Sequence, residues 1–310
     1  MKNNKILVTG SSGFIGSHVA DALEEKGYQV VLFDSIPSKY KSKNHKEFVG
    51  NILNYSDIEK AMKGCCAVYH FAAQADIGSS SQIPSETINS NIIGTLNVLE
   101  AAKNCKINRF IFASTIYVYS QLGSFYRVSK QACEKIIEEY QRELGLDYTI
   151  LRFGSLYGPR ANDFNAIRNF LIHAIKEKKI IRRGDGEELR EYIHVKDAAR
   201  LSVVALDEKH KNKHLIITGN QQIKIKDLLK MIREIFNGEI EIKFDLEEEF
   251  HHYEITPYNY KPQVAQKITS DTFYDLGQGI LDLLYDLEME MNKGNGGKSI
   301  GLRNRKNEIC

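Results

Sequence analysis

The sequence lacks an excess of charge of either sign and lacks any apolar run long enough to cross a bilayer. Its 310 residues carry 42 lysines and arginines against 40 aspartates and glutamates, a net charge of +2. This balance gives no reason to expect a nucleic acid or a membrane as a partner. The first predicted strand begins within a few residues of Met1, which leaves no room for a signal peptide. We therefore expect a cytoplasmic protein without a membrane-spanning segment.

The sequence is also poor in cysteine, and its cysteines do not have the spacing of metal ligands. None of them forms a C-x-x-C pair and their number is odd, which favours free thiols in a reducing compartment. We expect neither a disulfide nor a metal site from Cys65, Cys66, Cys105, Cys133 and Cys310. The hydrophobic fraction of 42% is sufficient to bury a sizeable core, and there is no internal repeat.

A glycine-rich turn lies between a hydrophobic strand near Ile6 and an amphipathic helix. Gly10 would let the chain leave the strand sharply, Gly13 would leave no side chain between the backbone and a pyrophosphate, and Gly16 would let the helix pack closely. Turns need glycine for other reasons too, but a strand before it and a helix after it favour a dinucleotide site. The predicted cofactor-binding residues of this turn are Gly10, Ser12, Gly13, Phe14, Ile15 and Gly16.

Asp34 ends the second predicted strand, eighteen residues after Gly16. A carboxylate there would accept hydrogen bonds from the adenosine ribose hydroxyls and would repel a 2′-phosphate, so NAD is favoured over NADP. Further positions at strand ends are predicted to approach the cofactor: Asn51, Ile52, Phe71, Ala72 and Ala73. The small residues Ala72 and Ala73 could equally be required where a helix packs tightly against the strand.

Strands alternate with helices as far as Arg152, a rhythm that predicts a parallel sheet covered on both faces. We expect an NAD-binding domain over residues 1–152 with a returning strand near 214–218. Residues 153–291 would form mainly a substrate-binding lobe. Residues 292–310 are rich in Gly, Asn, Lys and Arg and would form a flexible tail.

Tyr126 and Lys130 are four residues apart on a predicted helix, so both side chains lie on one face. An adjacent ammonium group favours the phenolate, so the pKa of Tyr126 is expected to be lowered. Tyr126 could then remove the proton from a substrate hydroxyl. The same spacing also occurs on many helix faces that only contact solvent.

Together, the G-x-x-G-x-x-G turn and Tyr126-x-x-x-Lys130 resemble the extended short-chain dehydrogenase/reductase superfamily. Further motifs, from Ile6 to about Ala205, resemble its UDP-glucose 4-epimerase-like nucleotide-sugar epimerases and dehydratases. The resemblance implies a Rossmann-type doubly wound α/β fold, with a smaller C-terminal α/β substrate-binding lobe.

The resemblance also implies roles for particular residues. The stretch Ala113-Ser114-Thr115-Ile116-Tyr117-Val118-Tyr119 looks like S-[ST]-x-x-V-Y-G, which places Thr115 at the catalytic hydroxyl position. Ser114 is the adjacent alternative, and either hydroxyl could instead cap the strand end. Asn91 matches an asparagine that orders the site, although a helix-interior asparagine could simply be solvated. Implied substrate-binding residues are Ser155, Arg160 and Arg190, the last gripping the nucleotide diphosphate, with Lys261 as a substitute for a second phosphate-binding arginine.

The chain departs from the family pattern at several positions. Ser155 replaces the usual Asn, Asn51 replaces the usual Asp, and Ser120 replaces the usual Gly. Tyr126 follows Thr115 by only eleven positions, fewer than is usual in the family, which would remove one wall of the sugar pocket. The dehydratases place an acid, or an acid pair, after their threonine, where this chain has Ile116-Tyr117, so elimination is not expected.

These features predict an NAD-dependent nucleotide-sugar epimerase, acting at C4 of the sugar through a 4-keto intermediate. The alternatives are a 4-dehydrogenase or ketoreductase that releases the oxidised sugar, a 4,6-dehydratase, and a non-catalytic NAD-binding protein. A homodimer is expected through the helices around 88–104 and 125–143, which carry apolar residues on more than one side. Deep burial of both helices within one subunit would explain the same pattern.

Overall fold

The alternating strands and helices form a seven-stranded parallel sheet in the computed structural model, which describes residues 4–220 and 222–245. The strands of this part of the chain are β1 (Lys5–Thr9), β2 (Gln29–Asp34), β3 (Lys46–Val49), β4 (Ala67–His70), β5 (Arg109–Thr115), β6 (Tyr148–Phe153), β7 (Ser155–Tyr157), β8 (Lys179–Arg183), β9 (Leu189–His194), β10 (Lys213–Ile217), β11 (Gln222–Lys224) and β12 (Glu241–Asp245). The large sheet has the order β10-β6-β5-β4-β1-β2-β3. Because each neighbouring pair is parallel, all seven strands end at the same edge.

Helices cover both faces of this sheet. They are α1 (Phe14–Glu25), α2 (Tyr55–Met62), α3 (Ile77–Gln82), α4 (Pro84–Ile88), α5 (Gly94–Asn104), α6 (Ser124–Leu144), α7 (Ala166–Glu177), α8 (Val195–Val204) and α9 (Ile225–Ile235). One face packs against α2, α5 and α6, and the other packs against α1 and α8. β5 is buried along its whole length, as a strand covered on both faces must be. The predicted doubly wound parallel sheet is confirmed.

Two smaller sheets follow, with the orders β11-β9-β7 and β12-β8. Together with α7 and α9 they enclose a hydrophobic cluster of their own, which includes Ala174, Ile180, Leu229 and Ile240. The predicted smaller α/β lobe is therefore present. The domain boundaries at residues 152 and 291 remain predictions, and Lys261 and the tail 292–310 lie outside the described residues.

The sequence pattern predicts one long helix from Pro84 to Asn104, and the structure divides it. α4 ends at Ile88, a π-helical segment occupies Asn89–Ile93, and α5 begins at Gly94. Single π turns of this kind occur often at functional sites, because they turn a side chain out of the regular helical register. A Cβ on Gly94 would lie 2.5 Å from Ile52 Cδ1, so a glycine is needed where α5 passes the loop after β3.

Among the described residues, no helix combines the length and the apolar character that a bilayer span requires. In the same part of the chain, no group of three or more His, Cys, Asp or Glu side chains could hold a metal ion. Its four cysteines, Cys65, Cys66, Cys105 and Cys133, are free thiols.

Candidate active site

The carboxyl ends of the strands of the large sheet open into a cleft of about 1170 Å³, which the lobe also lines. Most of the predicted site residues lie on this cleft: Gly10, Ser12, Gly13, Phe14, Ile15, Gly16, Asp34, Asn51, Ile52, Phe71, Ala72, Ala73, Thr115, Tyr126, Lys130, Ser155 and Arg190. Such a position, at the carboxyl edge of a parallel sheet, is the usual ligand site of doubly wound folds. Two predicted residues, Asn91 and Arg160, lie elsewhere.

The glycine-rich turn forms a cradle that side chains would fill. Gly10 has a φ of +69°, and a Cβ there would lie 2.6 Å from the backbone nitrogen of Ala72. A Cβ on Gly16 would lie 2.2 Å from the carbonyl oxygen of Gly10, so α1 can pack on the turn only without a side chain. Gly13 precedes α1, which has no side-chain cap. The first N–H groups of α1 thus remain for a ligand, and the cradle fits the pyrophosphate of a dinucleotide.

Asp34 lies at the end of β2 and is tied to the same turn. Its Oδ2 accepts a hydrogen bond of 2.9 Å from the backbone N–H of Ser12, and its Oδ1 accepts a longer one, 3.4 Å, from that of Ile36. The carboxylate is half-buried on the cleft wall. This position fits the predicted contact with the ribose hydroxyls of NAD.

Replacing Asp34 by asparagine is expected to weaken NAD binding about tenfold and to reduce discrimination against NADP. Asparagine keeps an oxygen acceptor for the N–H of Ser12 but removes the charge that would repel a 2′-phosphate. Fluorescence titration of both cofactors against both proteins measures the change. Unaltered affinity and unaltered preference would mean that another residue contacts the ribose.

Tyr126 and Lys130 lie in the first two turns of α6, and Thr115, at the end of β5, lines the same cleft. Lys130 is buried, and its Nζ donates a hydrogen bond of 2.8 Å to the carbonyl oxygen of Ala113. The same Nζ lies 4.6 Å from the ring centroid of Phe112 and 5.8 Å from that of Tyr126. The predicted catalytic residues are therefore brought together.

The structure contradicts the expectation that the pKa of Tyr126 is lowered. Burial raises the pKa of this phenol to about 12, against the opposing effect of a hydrogen bond with the Thr115 side chain. Burial also lowers the pKa of Lys130 to about 8. Because the ammonium group is directed at the carbonyl of Ala113, desolvation dominates at the phenol. Tyr126 is thus protonated at neutral pH in this structure.

Ser114, the alternative to Thr115, is engaged elsewhere. Its Oγ donates a hydrogen bond of 2.5 Å to Glu134 Oε1, and its side chain is buried. The Oγ of Thr115 accepts a hydrogen bond from the N–H of Tyr117, a bond that caps the short 3₁₀ helix Ile116–Tyr119. Of the two hydroxyls, Thr115 is the one paired with Tyr126.

Asn91 lies in the π-helical segment and is buried behind the cleft, not solvated. Its Oδ1 accepts from the N–H of Gln74 at 2.7 Å, and its Nδ2 donates to the carbonyl of Gln74 and to Ser129 Oγ. Ser129 Oγ in turn donates to the carbonyl of Tyr126. Asn91 therefore joins the loop after β4 to the helix that carries Tyr126.

Arg160 does not lie where the resemblance implies. Its guanidinium forms an ion pair of 2.8 Å with Asp21 of α1 and stacks 4.4 Å from the ring centroid of Tyr40. These contacts give Arg160 a structural role in this structure, because they hold it away from the cleft wall. Ser155 and Arg190 do line the cleft, and Lys261 lies outside the described residues.

Sequence reasoning missed several cleft residues. The lobe contributes Arg182, Arg183 and Tyr192, and the segments after β4 and β5 contribute Gln74, Asp76, Glu86 and Tyr117. The adjacent arginines Arg182-Arg183 before Gly184 were the available signal, since paired cations beside a glycine turn suit a phosphate. Because these arginines lie far along the chain from Tyr126, the sequence alone did not assign them to the same site.

The geometry of the cleft is that of a nicotinamide-dependent enzyme of the short-chain dehydrogenase/reductase type. Residues 6–218 match the model of the NAD dependent epimerase/dehydratase family, and the chain belongs to that family. The predicted cofactor, NAD, is confirmed at the level of the family. The family comprises enzymes that modify nucleotide sugars.

Individual relatives differ in the reaction that their names give. The chain is 32% identical over 257 residues to a putative UDP-glucose 4-epimerase of Methanocaldococcus jannaschii, covering 76% of this chain and 84% of that protein. It is 30% identical over 292 residues to a UDP-N-acetyl-alpha-D-glucosaminuronate decarboxylase of Bacillus cytotoxicus, covering 84% and 90%. The crystal structure of UDP-glucose 4-epimerase from Thermotoga maritima with UDP-glucose is similar with a TM-score of 0.76 and 29% identity, covering 83% and 90%.

Proposed function

We propose that this chain is an NAD-dependent 4-epimerase of a uridine diphosphate sugar. The observation that carries the proposal is that Thr115, Tyr126 and Lys130 lie in one cleft with the glycine cradle. The residues that follow the threonine in sequence are Ile116 and Tyr117. An aliphatic and an aromatic side chain in that place cannot act as the acid pair that elimination needs. Similarity to UDP-glucose 4-epimerases in sequence and structure supports the same choice.

The residues of this chain would handle the proton at the C4 oxygen. Thr115 Oγ would hold that oxygen while Tyr126 removes its proton. Tyr126 would later return a proton to the same oxygen, as hydride reaches the opposite face of C4. Lys130 would stabilise the phenolate form of Tyr126, which must be present before Tyr126 accepts the proton and is restored when the proton is returned. NAD, when bound, supplies the acceptor and donor of hydride, and its positive ring favours the phenolate that burial alone opposes.

Charge on the lobe wall supports a nucleoside diphosphate as the other end of the substrate. Arg182, Arg183 and Arg190 lie on β8 and β9 along the cleft. Guanidinium groups suit phosphate oxygens because they offer paired donors in a fixed plane. Apolar side chains such as Phe170 and Ile181 line the same region and could pack against a base.

Proton NMR of reactions in deuterated water tests the proposal, with UDP-glucose, UDP-N-acetylglucosamine and UDP-glucuronate as separate substrates. Epimerisation at C4 yields the C4 epimer with its carbon-bound hydrogens undiluted. Elimination, or epimerisation at C3 or C5, brings in deuterium, and decarboxylation shortens the sugar by one carbon. Net formation of NADH would instead support a dehydrogenase that releases the ketosugar, and would contradict the proposal.

We also propose a homodimer through the two expected helical regions, on the part of their surface that the fold leaves exposed. Val98 and Ala102 of α5 and Ile137 of α6 are buried in the core, so a charge at Val98 would disrupt the fold and not an interface. Ile93 and Val128 are instead 43% and 41% exposed, and the segments that carry them pack against each other. An interface at Ile93 and Val128 would be formed by the π-helical segment before α5 and by α6, within the two helical regions expected to dimerise.

Val128→Glu is expected to convert a dimer into a monomer at micromolar concentration, because it buries a carboxylate in an apolar interface. Light scattering measures the mass. Val204→Glu is the matched control, since Val204 is 42% exposed on α8, which covers the opposite face of the sheet. A monomeric parent contradicts the dimer, and a dimer that survives Val128→Glu contradicts the surface.

A further inference from the structure

His70 is a buried titratable side chain to which the proposed reaction gives no role. It ends β4, the central strand of the large sheet, and is 1% exposed. Its Nδ1 lies 2.7 Å from Thr9 Oγ1, and its Nε2 lies 3.0 Å from Thr95 Oγ1. Burial, with a smaller contribution from the charge of Lys130, lowers the pKa of His70 to about 3. The ring is therefore neutral at neutral pH, with one nitrogen that donates and one that accepts.

The hydroxyl of Thr95 decides which nitrogen of His70 carries the proton. Thr95 Oγ1 lies 2.5 Å from the carbonyl oxygen of Asn91, a separation that requires the hydroxyl hydrogen between the two oxygens. Because this is the only hydrogen of the hydroxyl, Thr95 must accept from Nε2 of His70. The neutral ring then accepts at Nδ1 from the hydroxyl of Thr9, whose oxygen in turn accepts from the N–H of Ala72 at 3.4 Å. The structure thus fixes His70 as the Nε2–H tautomer.

The same hydrogen bonds lead from the glycine cradle to the helix that carries Tyr126. At one end, Thr9 directly precedes Gly10. At the other end, Asn91 Nδ2 donates to Ser129 Oγ at 2.9 Å, and Ser129 Oγ donates to the carbonyl oxygen of Tyr126 at 2.8 Å. These bonds form a continuous path, the His70 path, whose side chains are each at most 2% exposed: Thr9, His70, Thr95, Asn91 and Ser129. Because water does not reach these positions, the loss of one bond leaves its partner unsatisfied and should shift the elements that it joins.

We propose that His70, as its Nε2–H tautomer, is a positioning residue that sets the place of Tyr126 relative to the glycine cradle. The inference rests on the proposed function, which gives Tyr126 the acid/base role. The cradle belongs to the turn between β1 and α1, whereas Tyr126 belongs to α6, so the fold must fix the distance between them. The His70 path joins the two through β4 and the π-helical segment. A displacement of about 1 Å between reacting groups can lower turnover about a hundredfold.

Thr95→Val interrupts the His70 path, because valine keeps the shape of the side chain and removes its hydroxyl. It is expected to lower kcat for UDP-glucose about tenfold, while the KM and the affinity for NAD change less than about twofold. Thr95→Ser keeps the hydroxyl and should restore kcat. Thr87→Val is the matched control, since Thr87 is also fully buried and its hydroxyl donates to the carbonyl oxygen four residues earlier, that of Ile83, at 3.0 Å. That bond lies outside the His70 path, so kcat should stay within about twofold of the wild-type value.

Two NMR signals of the NAD-loaded protein report the path without turnover. Long-range proton–nitrogen correlation of labelled histidines identifies the tautomer of His70, whose signal is assigned by its loss in His70→Asn. The wild-type protein should show the Nε2–H tautomer at neutral pH. The Cζ resonance of Tyr126, assigned by its loss in Tyr126→Phe, should move in Thr95→Val and keep its wild-type position in Thr95→Ser and Thr87→Val. The tautomer is measured on the wild-type protein, so it tests the path even where a variant does not fold.

An Nδ1–H tautomer or a protonated ring at His70 would overturn the inference. In an active protein, an unaltered kcat in Thr95→Val would also overturn it, as would an unmoved Tyr126 resonance in that variant. Equal losses of kcat in Thr95→Val and Thr87→Val would overturn it too, because the effect would then come from buried hydroxyls in general. A Tyr126 resonance that moves in Thr95→Val but not in Thr87→Val, in a protein that epimerises no UDP sugar, would contradict the proposed function and still support the role of His70.

Discussion

Tyr126→Phe is expected to lower kcat at least about a hundredfold while NAD binding is retained. The phenol lines the cleft and is hydrogen-bonded with the Thr115 side chain, whereas the glycine cradle lies between β1 and α1. Phenylalanine keeps the ring that packs beside Lys130 and removes only the proton carrier. The loss should therefore appear in kcat and not in the affinity for NAD.

Steady-state turnover of UDP-glucose and a fluorescence titration of NAD measure the two quantities separately. Tyr55→Phe is the matched control, because Tyr55 lies on α2 and bonds Glu59 and Asn104, away from the cleft. Near-normal turnover in a folded Tyr126→Phe protein would remove Tyr126 from the mechanism.

Much of the fold and of the cofactor site could be predicted from local patterns in the sequence. Gly10 and Gly16 are required by backbone contacts within a few residues of each other or across adjacent strands. The position of Asp34 could be predicted because β2 is parallel to β1 and therefore ends at the same edge of the sheet. Such positions depend on spacing along one or two elements, so a pattern in the sequence is sufficient to find them.

Other properties depend on what the whole fold places around a residue. The pKa of Tyr126 was predicted from its neighbour Lys130, but burial dominates at both groups. Val98 lies on the first of the two helices expected at the dimer interface, yet it is fully buried. Helical spacing shows that a residue lies on a face, but it does not show what covers that face.

The cleft residues from the lobe show the same limit. Arg182 and Tyr192, which sequence reasoning missed, reach the cleft from β8 and β9, far along the chain from β5. Their arrangement depends on how two sheets and α9 pack. No periodicity in the sequence reports that packing. The position of Arg160 beside Asp21 is likewise a tertiary contact, which the motif that contains Arg160 does not report.

A buried ionic network contacts β5, the strand that ends at Thr115. Glu134 of α6 accepts hydrogen bonds from Ser114 Oγ and from Arg152 Nε and Nη2, the last two at 3.0 and 2.6 Å. His214 of β10 lies 3.6 Å from the same carboxylate. Arg152 also stacks 4.7 Å from the ring centroid of Tyr119, in the loop that follows Thr115. The network therefore joins α6 to three strands and to the 3₁₀ helix that follows Thr115.

Glu134→Gln is expected to lower the free energy of unfolding by about 3–5 kcal/mol at neutral pH, because it leaves the guanidinium of Arg152 without its counter-charge. Urea denaturation with an unaltered m-value measures the loss. Glu139→Gln serves as the control, since its exposed pair with Arg142 should contribute less than about 1 kcal/mol.

The acid dependence of stability gives the second readout for Glu134. Burial raises the pKa of this carboxyl, but hydrogen bonds from His214, Arg152 and Ser114 and the charge of Arg152 outweigh burial and hold the pKa at about 2, below the ordinary 4.5. A depressed pKa in the folded state stabilises the fold above the ordinary pKa and loses that contribution as pH falls toward 2. The free energy of unfolding of the wild-type protein should therefore decline between about pH 5 and pH 2, and Glu134→Gln should decline less. A loss below 1 kcal/mol at neutral pH, together with the same acid slope in both proteins, would show that the network contributes little to stability.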